Sequence, residues 1–142
     1  MNELRRNFIR VTLCGLVTGV VWFLLSGVVL LIFGQALMDA LQSVQALPRR
    51  GGLFFFSIDL LMGIWALWFY TAIRSRYGPG AKTAIITGVG WWCIKSLQSA
   101  KWAALGFVRP NGALALLAAT LPATIAAAFV GAWLYEHKRP AK

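Results

Sequence analysis

Residues 52–97 read GLFFFSIDLLMGIWALWFYTAIRSRYGPG and then AKTAIITGVGWWCIKSL, and this stretch decides how the chain is read. Two apolar runs, 52–73 and 81–97, are joined by Arg74-Ser75-Arg76-Tyr77-Gly78-Pro79-Gly80, a turn centred near Tyr77. Each run approaches the length an α-helix needs to cross a hydrocarbon core of about 30 Å. Each also holds a charge, Asp59 in the first and Lys95 in the second, both eighteen residues from Tyr77. An antiparallel helical hairpin brings the two to one depth, and the spacing predicts an ion pair between neighbouring spans. Charges inside a bilayer are expensive and mark either packing between helices or a functional path. Helical rise puts Asp59 roughly 10 Å below the outer boundary of its span. Lys95 lies nearer the end of its own span, where its long stem can snorkel outward. Ser57, Ser96, Gln98, Ser99 and Lys101 add polar groups at that level. Two readings follow: an outward-opening polar cavity that binds a substrate or relays protons, or a structural clamp on the hairpin.

The rest of the chain fits the same class. Of 142 residues, 59% are hydrophobic and 13% charged, about half the charge fraction of an ordinary soluble domain. The apolar residues come in blocks of about twenty, and no ten-residue alternation of the membrane-barrel kind is present. The expectation is a single all-α integral membrane domain over residues 1–142 with four transmembrane helices, at about 11–33, 52–73, 81–97 and 113–135. The third is allowed to continue to 107, and Arg109-Pro110-Asn111-Gly112 is read as the turn before the fourth. Residues 35–47 depart from full hydrophobicity. Leu37, Leu41 and Val44 recur at helical spacing opposite Asp39, Gln42 and Ser43. They predict a short amphipathic helix lying in the interface, or else a plain extramembrane helical loop. A positive flank before an apolar run also describes a secretory signal, but the first run is long for one and Gly34-Gln35-Ala36 is a weak cleavage site.

The formal charge of +10 would point to nucleic acid in a soluble protein. Here the bases sit at helix ends, where membrane topology puts them, so anionic lipid headgroups are the expected partner and nucleic acid is not. Arg5, Arg6, Arg10, Arg74, Arg76, Lys82, Lys138, Arg139 and Lys142 share one side of the predicted topology, against Arg49, Arg50, Lys95, Lys101 and Arg109 on the other. The bias predicts both termini in the cytoplasm and a bacterial inner-membrane location. Arg74, Arg76 and Lys82 around the Gly78-Pro79-Gly80 turn are also candidate ligands for a headgroup or other anion, although turns need Gly and Pro, and topology needs bases, in any case.

Small residues give the clearest packing signal. Ala115, Ala119, Ala123, Ala127 and Gly131 repeat every fourth position, Gly15 and Gly19 form a second such face, and Gly88 a smaller one. These are helix-contact surfaces, within one chain or between subunits. Pro122 should kink its helix, with Thr120 and Thr124 placed to satisfy freed carbonyls.

Catalytic chemistry is sparse. The single histidine, His137, lies in the basic tail, so no pair of intramembrane histidines can hold a haem, and no metal site is predicted. Cys14 and Cys93 fall about 15 Å apart in depth and read as apolar fillers rather than a redox pair. No cofactor is predicted. Seven tryptophans and nine phenylalanines would flank a bound lipid, quinone or pigment, but aromatic belts account for most of them.

The stretch MGIWALWFYTAIRSRYGPGAKTA, residues 62–84, resembles a run in small uncharacterised bacterial four-helix membrane proteins. There a helix ends in Tyr-x-x-x-Arg, a Gly-x-Gly turn follows, and the next helix opens on small residues. Tyr70, Arg74, Gly78, Gly80 and Ala84 hold those positions here. The resemblance covers the central hairpin only and implies a four-helix inner-membrane protein, with no activity attached. The expected function is a non-enzymatic structural or accessory subunit that packs against other membrane subunits or itself. The alternative is a small homo-oligomeric transporter or channel using Asp59 and Lys95.

Overall fold

A computed structural model describes residues 2–40, 51–106 and 110–137, with side chains at 5–34, 52–101, 103–106, 114–115 and 117–137. It contains four helices and, among these residues, no strand: α1 (Asn2–Ala40), α2 (Gly51–Tyr77), α3 (Ala81–Ala104) and α4 (Pro110–His137). Three stretches are long and apolar enough to cross a membrane: Arg5–Gly34, Gly52–Tyr77 and Leu117–His137. The α3 helix is not among them, because Lys82, Lys95, Gln98 and Lys101 interrupt its apolar run.

Two boundaries differ from the sequence reading. The first helix runs unbroken through Gly34 to Ala40. Residues 35–40 of the expected interfacial helix thus continue α1, and the rest of that segment lies outside the described residues. At 39 residues α1 reaches about 58 Å, nearly twice a bilayer core, so part of it must project. Residues 110–112, expected in a turn, open α4 instead. Pro110 occupies the first helical position, where its fixed φ is pre-set for a helix and its missing N–H costs nothing.

In the bundle α1 packs along both α2 and α4, and α3 packs along α4. Although α2 and α3 are joined by a tight turn, they touch over much less of their length, and α1 and α3 lie across the bundle from each other. Glycine sets the close approaches. A Cβ on Gly15 would stand 2.6 Å from the Ile64 Cα, and one on Gly19 2.6 Å from the Leu60 Cα. On the facing helix Gly63 meets the backbones of Gly15 and Gly19 at still shorter range. Glycine disfavours a helix by about 1 kcal/mol relative to alanine. Here it lets two backbones touch, and van der Waals packing of this kind is what holds helices together where lipid removes the hydrophobic drive.

Gly131 of α4 abuts Thr18 of α1, and Gly88 of α3 meets Ile125 of α4. Of the predicted small-residue ridge, Ala123, Ala127 and Gly131 are buried, Ala119 is half-buried and Ala115 is exposed. Thr18, Thr83, Thr87 and Thr124 are buried too. Thr18, Thr87 and Thr124 donate to the carbonyls four residues back, and Thr83 donates to Gly78 O at 2.6 Å. Near Pro122, Leu117 O accepts from both Thr120 Oγ1 and the indole of Trp92, so α3 and α4 are joined at that level.

The core occupies one half of the bundle. Among the described residues, every buried one lies within 14–22 of α1, 63–70 of α2, 83–88 of α3 or 123–135 of α4. Antiparallel helices bring these segments together at the end that carries both described termini and the α2–α3 turn. In the other half Leu31, Leu53, Phe54 and Leu97 are exposed, and Phe23 of α1 meets Phe56 of α2 edge-to-face at 5.1 Å.

The glycine contact predicts a position-specific cost for one methyl group. Gly63→Ala should lower stability in detergent by about 1–3 kcal/mol, the range for overpacking a closed site. Gly27→Ala, with nothing within 4 Å, should leave it unchanged or raised. Thermal unfolding of the two variants beside the parent checks this.

Candidate functional site

Two polar clusters stand out, one in the packed half and one at its margin. The first is built where α2 ends. Tyr70 and Arg74 are one helical turn apart and share a face. On α4 the next residues toward the tail are Tyr135 and Glu136. The Glu136 carboxylate takes Arg74 Nε at 2.6 Å on Oε1 and accepts a hydrogen bond from Arg74 Nη2 at 3.0 Å on Oε2. The Nη2 contact is the hydrogen bond of the pair, and the close Nε approach adds charge attraction. Tyr70 also donates to Oε1, at 3.0 Å, and its hydroxyl oxygen accepts the Gly80 N–H at 3.2 Å. One phenol therefore ties the turn to α4. Gly78 and Gly80 have φ of 82° and 116°, left-handed values that a side chain would strain. Gly78 N–H caps the end of α2 on Arg74 O.

Arg10 completes the cluster from α1. Its guanidinium lies 4.6 Å from the centre of the Tyr135 ring and donates to Tyr135 O. Tyr135 in turn stands edge-on to Tyr70 at 6.3 Å. Three helices and a turn are thus closed around one acid. The Arg74–Glu136 pair is only about one-fifth exposed, so it is screened less than a surface ion pair but still reaches water.

The anion-binding candidates separate in this arrangement. Arg74 is held by Glu136, Arg76 lies exposed with its guanidinium 6.0 Å from the Tyr77 ring centre, and Lys82 is exposed on α3. They do not gather into one cradle. Glu136, Arg10 and Tyr135 are the residues that sequence reasoning missed. The available signal was an acid inside a basic tail, facing a Tyr-x-x-x-Arg turn.

The second cluster holds Asp59 and Lys95. Both are half-buried, and each lies within reach of the other's charge. They do not form the direct ion pair. Among the described residues the one cation–carboxylate contact within 4 Å is Arg74–Glu136. The Lys95 ammonium instead lies 4.6 Å from the centre of the Trp22 ring, and Trp22 is a core residue of α1. The side chain therefore reaches into the bundle rather than snorkelling out, as the N-terminal tilt of side chains along a helix favours. A desolvated cation on an indole face is attracted by about 2 kcal/mol. Ser57 and Ser96 bond to their own helices, to Leu53 O and Trp92 O, rather than joining the charges. Among the described residues no three His, Cys, Asp or Glu gather as a metal site would require.

No protein-family model, curated protein or solved structure matches this chain.

If Glu136 is the centre of the first cluster, Arg74→Leu and Glu136→Leu should each destabilise the protein, and the double variant should lose less stability than the sum of the two single losses. A double-mutant cycle on thermal or denaturant unfolding should return a coupling of about 1–2 kcal/mol. Tyr70→Phe should cost about 1 kcal/mol in the same assay, the worth of its hydrogen bonds.

Proposed function

We propose that this chain is a non-enzymatic membrane protein, a small structural or accessory subunit that packs its helices and bound lipid within a larger membrane assembly. All four helices cross the membrane in this reading, with both termini in the cytoplasm of a bacterial cell. The observation that carries it is the situation of α3. Among the described helices it is the one whose polar residues keep it from the apolarity of a lone span, yet it packs along α4, touches α2 thinly and reaches α1 through the Lys95 side chain on Trp22 rather than by close backbone approach. Gln98 and Lys101 are exposed on its outer half. Polar groups at membrane depth face protein or water rather than lipid, and a neighbouring subunit beside α3 would supply that surface. The small-residue faces offer less room for outside partners, since Gly15, Gly19, Gly63, Gly88 and Gly131 are already met by this chain's own helices.

A second reading, a small oligomeric transporter or channel, is favoured by one observation. Lys95 turns inward onto Trp22, with Asp59 nearby, at the margin of the packed half.

Native mass spectrometry of the protein extracted from its own membrane in mild detergent tests the choice. The accessory reading predicts foreign chains in the complex, and a homo-oligomer without them would favour transport. Asp59→Asn gives a second check. Under the accessory reading it lowers the melting temperature by about 2–4 °C, corresponding to about 1 kcal/mol in a chain of this size. A variant that melts like the parent but loses solute flux in vesicles would install the transporter in its place.

A further inference from the structure

A groove of about 670 Å³ runs between α1 and α2 at the basic end of the bundle. Its walls are aromatic. Phe8 stands on the α1 side, and Trp65 and Trp68, packed edge-to-face at 5.4 Å, stand on the α2 side. Phe8, Trp65 and Trp68 are all more than half exposed, so the chain itself leaves this space open. The floor is Tyr135, whose ring already carries the Arg10 guanidinium. The groove changes character along its length. Ile64 and Trp65 line the deep part, while Asn7, Thr12 and Thr71 line the part nearer the helix ends. Thr12 and Thr71 donate their hydroxyl protons to Phe8 O and Trp68 O, which leaves their oxygens as acceptors toward the groove.

Charge flanks the polar end on both sides. Arg5 lies three residues before Phe8 and seven before Thr12, and so shares their face of α1. Arg76 lies eleven residues, close to three whole turns, after Trp65, and so shares its face of α2. Both arginines are exposed. Unlike Arg74, neither has a carboxylate within 4 Å among the described residues.

From this we infer a binding site for one anionic phospholipid, its phosphate between Arg5 and Arg76 and an acyl chain laid along Trp65 and Ile64. An apolar trough that ends in hydroxyls and an amide, with a cation on each lip, matches the order of a phospholipid from tail to glycerol to phosphate. Arginine suits the last of these, because its planar fork binds phosphate oxygens in pairs. The basic end faces the cytoplasmic leaflet, where anionic lipid is concentrated. The inference rests on the membrane reading above and adds a ligand and a place to it.

Bromine-labelled lipids read both claims at once, because bromine on an acyl chain quenches a tryptophan it touches. The full chain is reconstituted in unlabelled phosphatidylcholine vesicles doped with brominated phosphatidylglycerol or, separately, brominated phosphatidylcholine. The expected result is half-maximal quenching at a mole fraction of the anionic lipid about thirtyfold lower, as two basic residues at about 1 kcal/mol each would give. That preference should vanish in Arg5→Gln/Arg76→Gln, and its quenching amplitude should vanish in Trp65→Phe/Trp68→Phe. Equal quenching by both lipids would overturn the site while leaving the membrane reading intact. Quenching by neither would overturn both. A preference that survives either double variant places the lipid elsewhere and overturns the assignment. So does quenching confined to the other tryptophans, as when a second copy or another protein fills the groove.

Discussion

One acid closes this bundle. Glu136 holds Arg74 by two contacts and Tyr70 by a third, and Tyr70 in turn holds the Gly80 N–H. The α2–α3 turn, the end of α2 and the end of α4 are therefore fixed relative to one another by a single carboxylate. Arg10 adds α1 through Tyr135. Interactions of this kind have large consequences when one partner is removed, because the other is left charged and poorly solvated. Below the knot the helices need only small residues to come together. Gly15, Gly19 and Gly63 bring α1 onto α2, and Gly131 seats α4 on Thr18.

The same constraint explains why the packing is uneven. The knot and the glycine contacts all act in the half that holds the turn, and the buried residues stop one or two turns beyond them. Asp59 and Lys95 stand where that core ends. Inward reach onto Trp22 gives the Lys95 ammonium an attractive partner without leaving the bundle. In the outer half Gln98 and Lys101 of α3 are exposed.

Much of this was legible in the amino-acid order, and for physical reasons. Long apolar blocks separated by basic or Gly/Pro turns have few ways to fold, so the four helices, with no strand among the described residues, follow from hydropathy and length. The equal spacing of Asp59 and Lys95 from Tyr77 predicts an ion pair, but the two do not come within 4 Å of each other. It cannot supply the direction of a flexible lysine, and Trp22 lies seventy-three residues earlier in the chain. Glu136 was hidden by its place near the end, where an acid reads as a solvated tail residue. Gly63 was hidden inside a run of large apolar residues with no second glycine four positions away. The pattern Tyr70, Arg74, Gly78, Gly80 and Ala84, known first as a resemblance, has a physical content of its own. It comprises a phenol and a guanidinium for one acid, two left-handed turn positions and a core alanine.

The claim that everything else rests on is the asymmetry between a clamped half and an open one. Pulsed electron-resonance distances between spin labels measure it directly in detergent. One label pair would replace Leu13 and Trp133, exposed beside the packed half, and the other Leu31 and Leu97, exposed in the outer half. The account predicts a narrow distance distribution for the first pair and a distinctly broader one for the second, since segments with few buried contacts sample more arrangements. Two equally narrow distributions would contradict it, because the outer half would then be held as firmly as the knot holds the inner one.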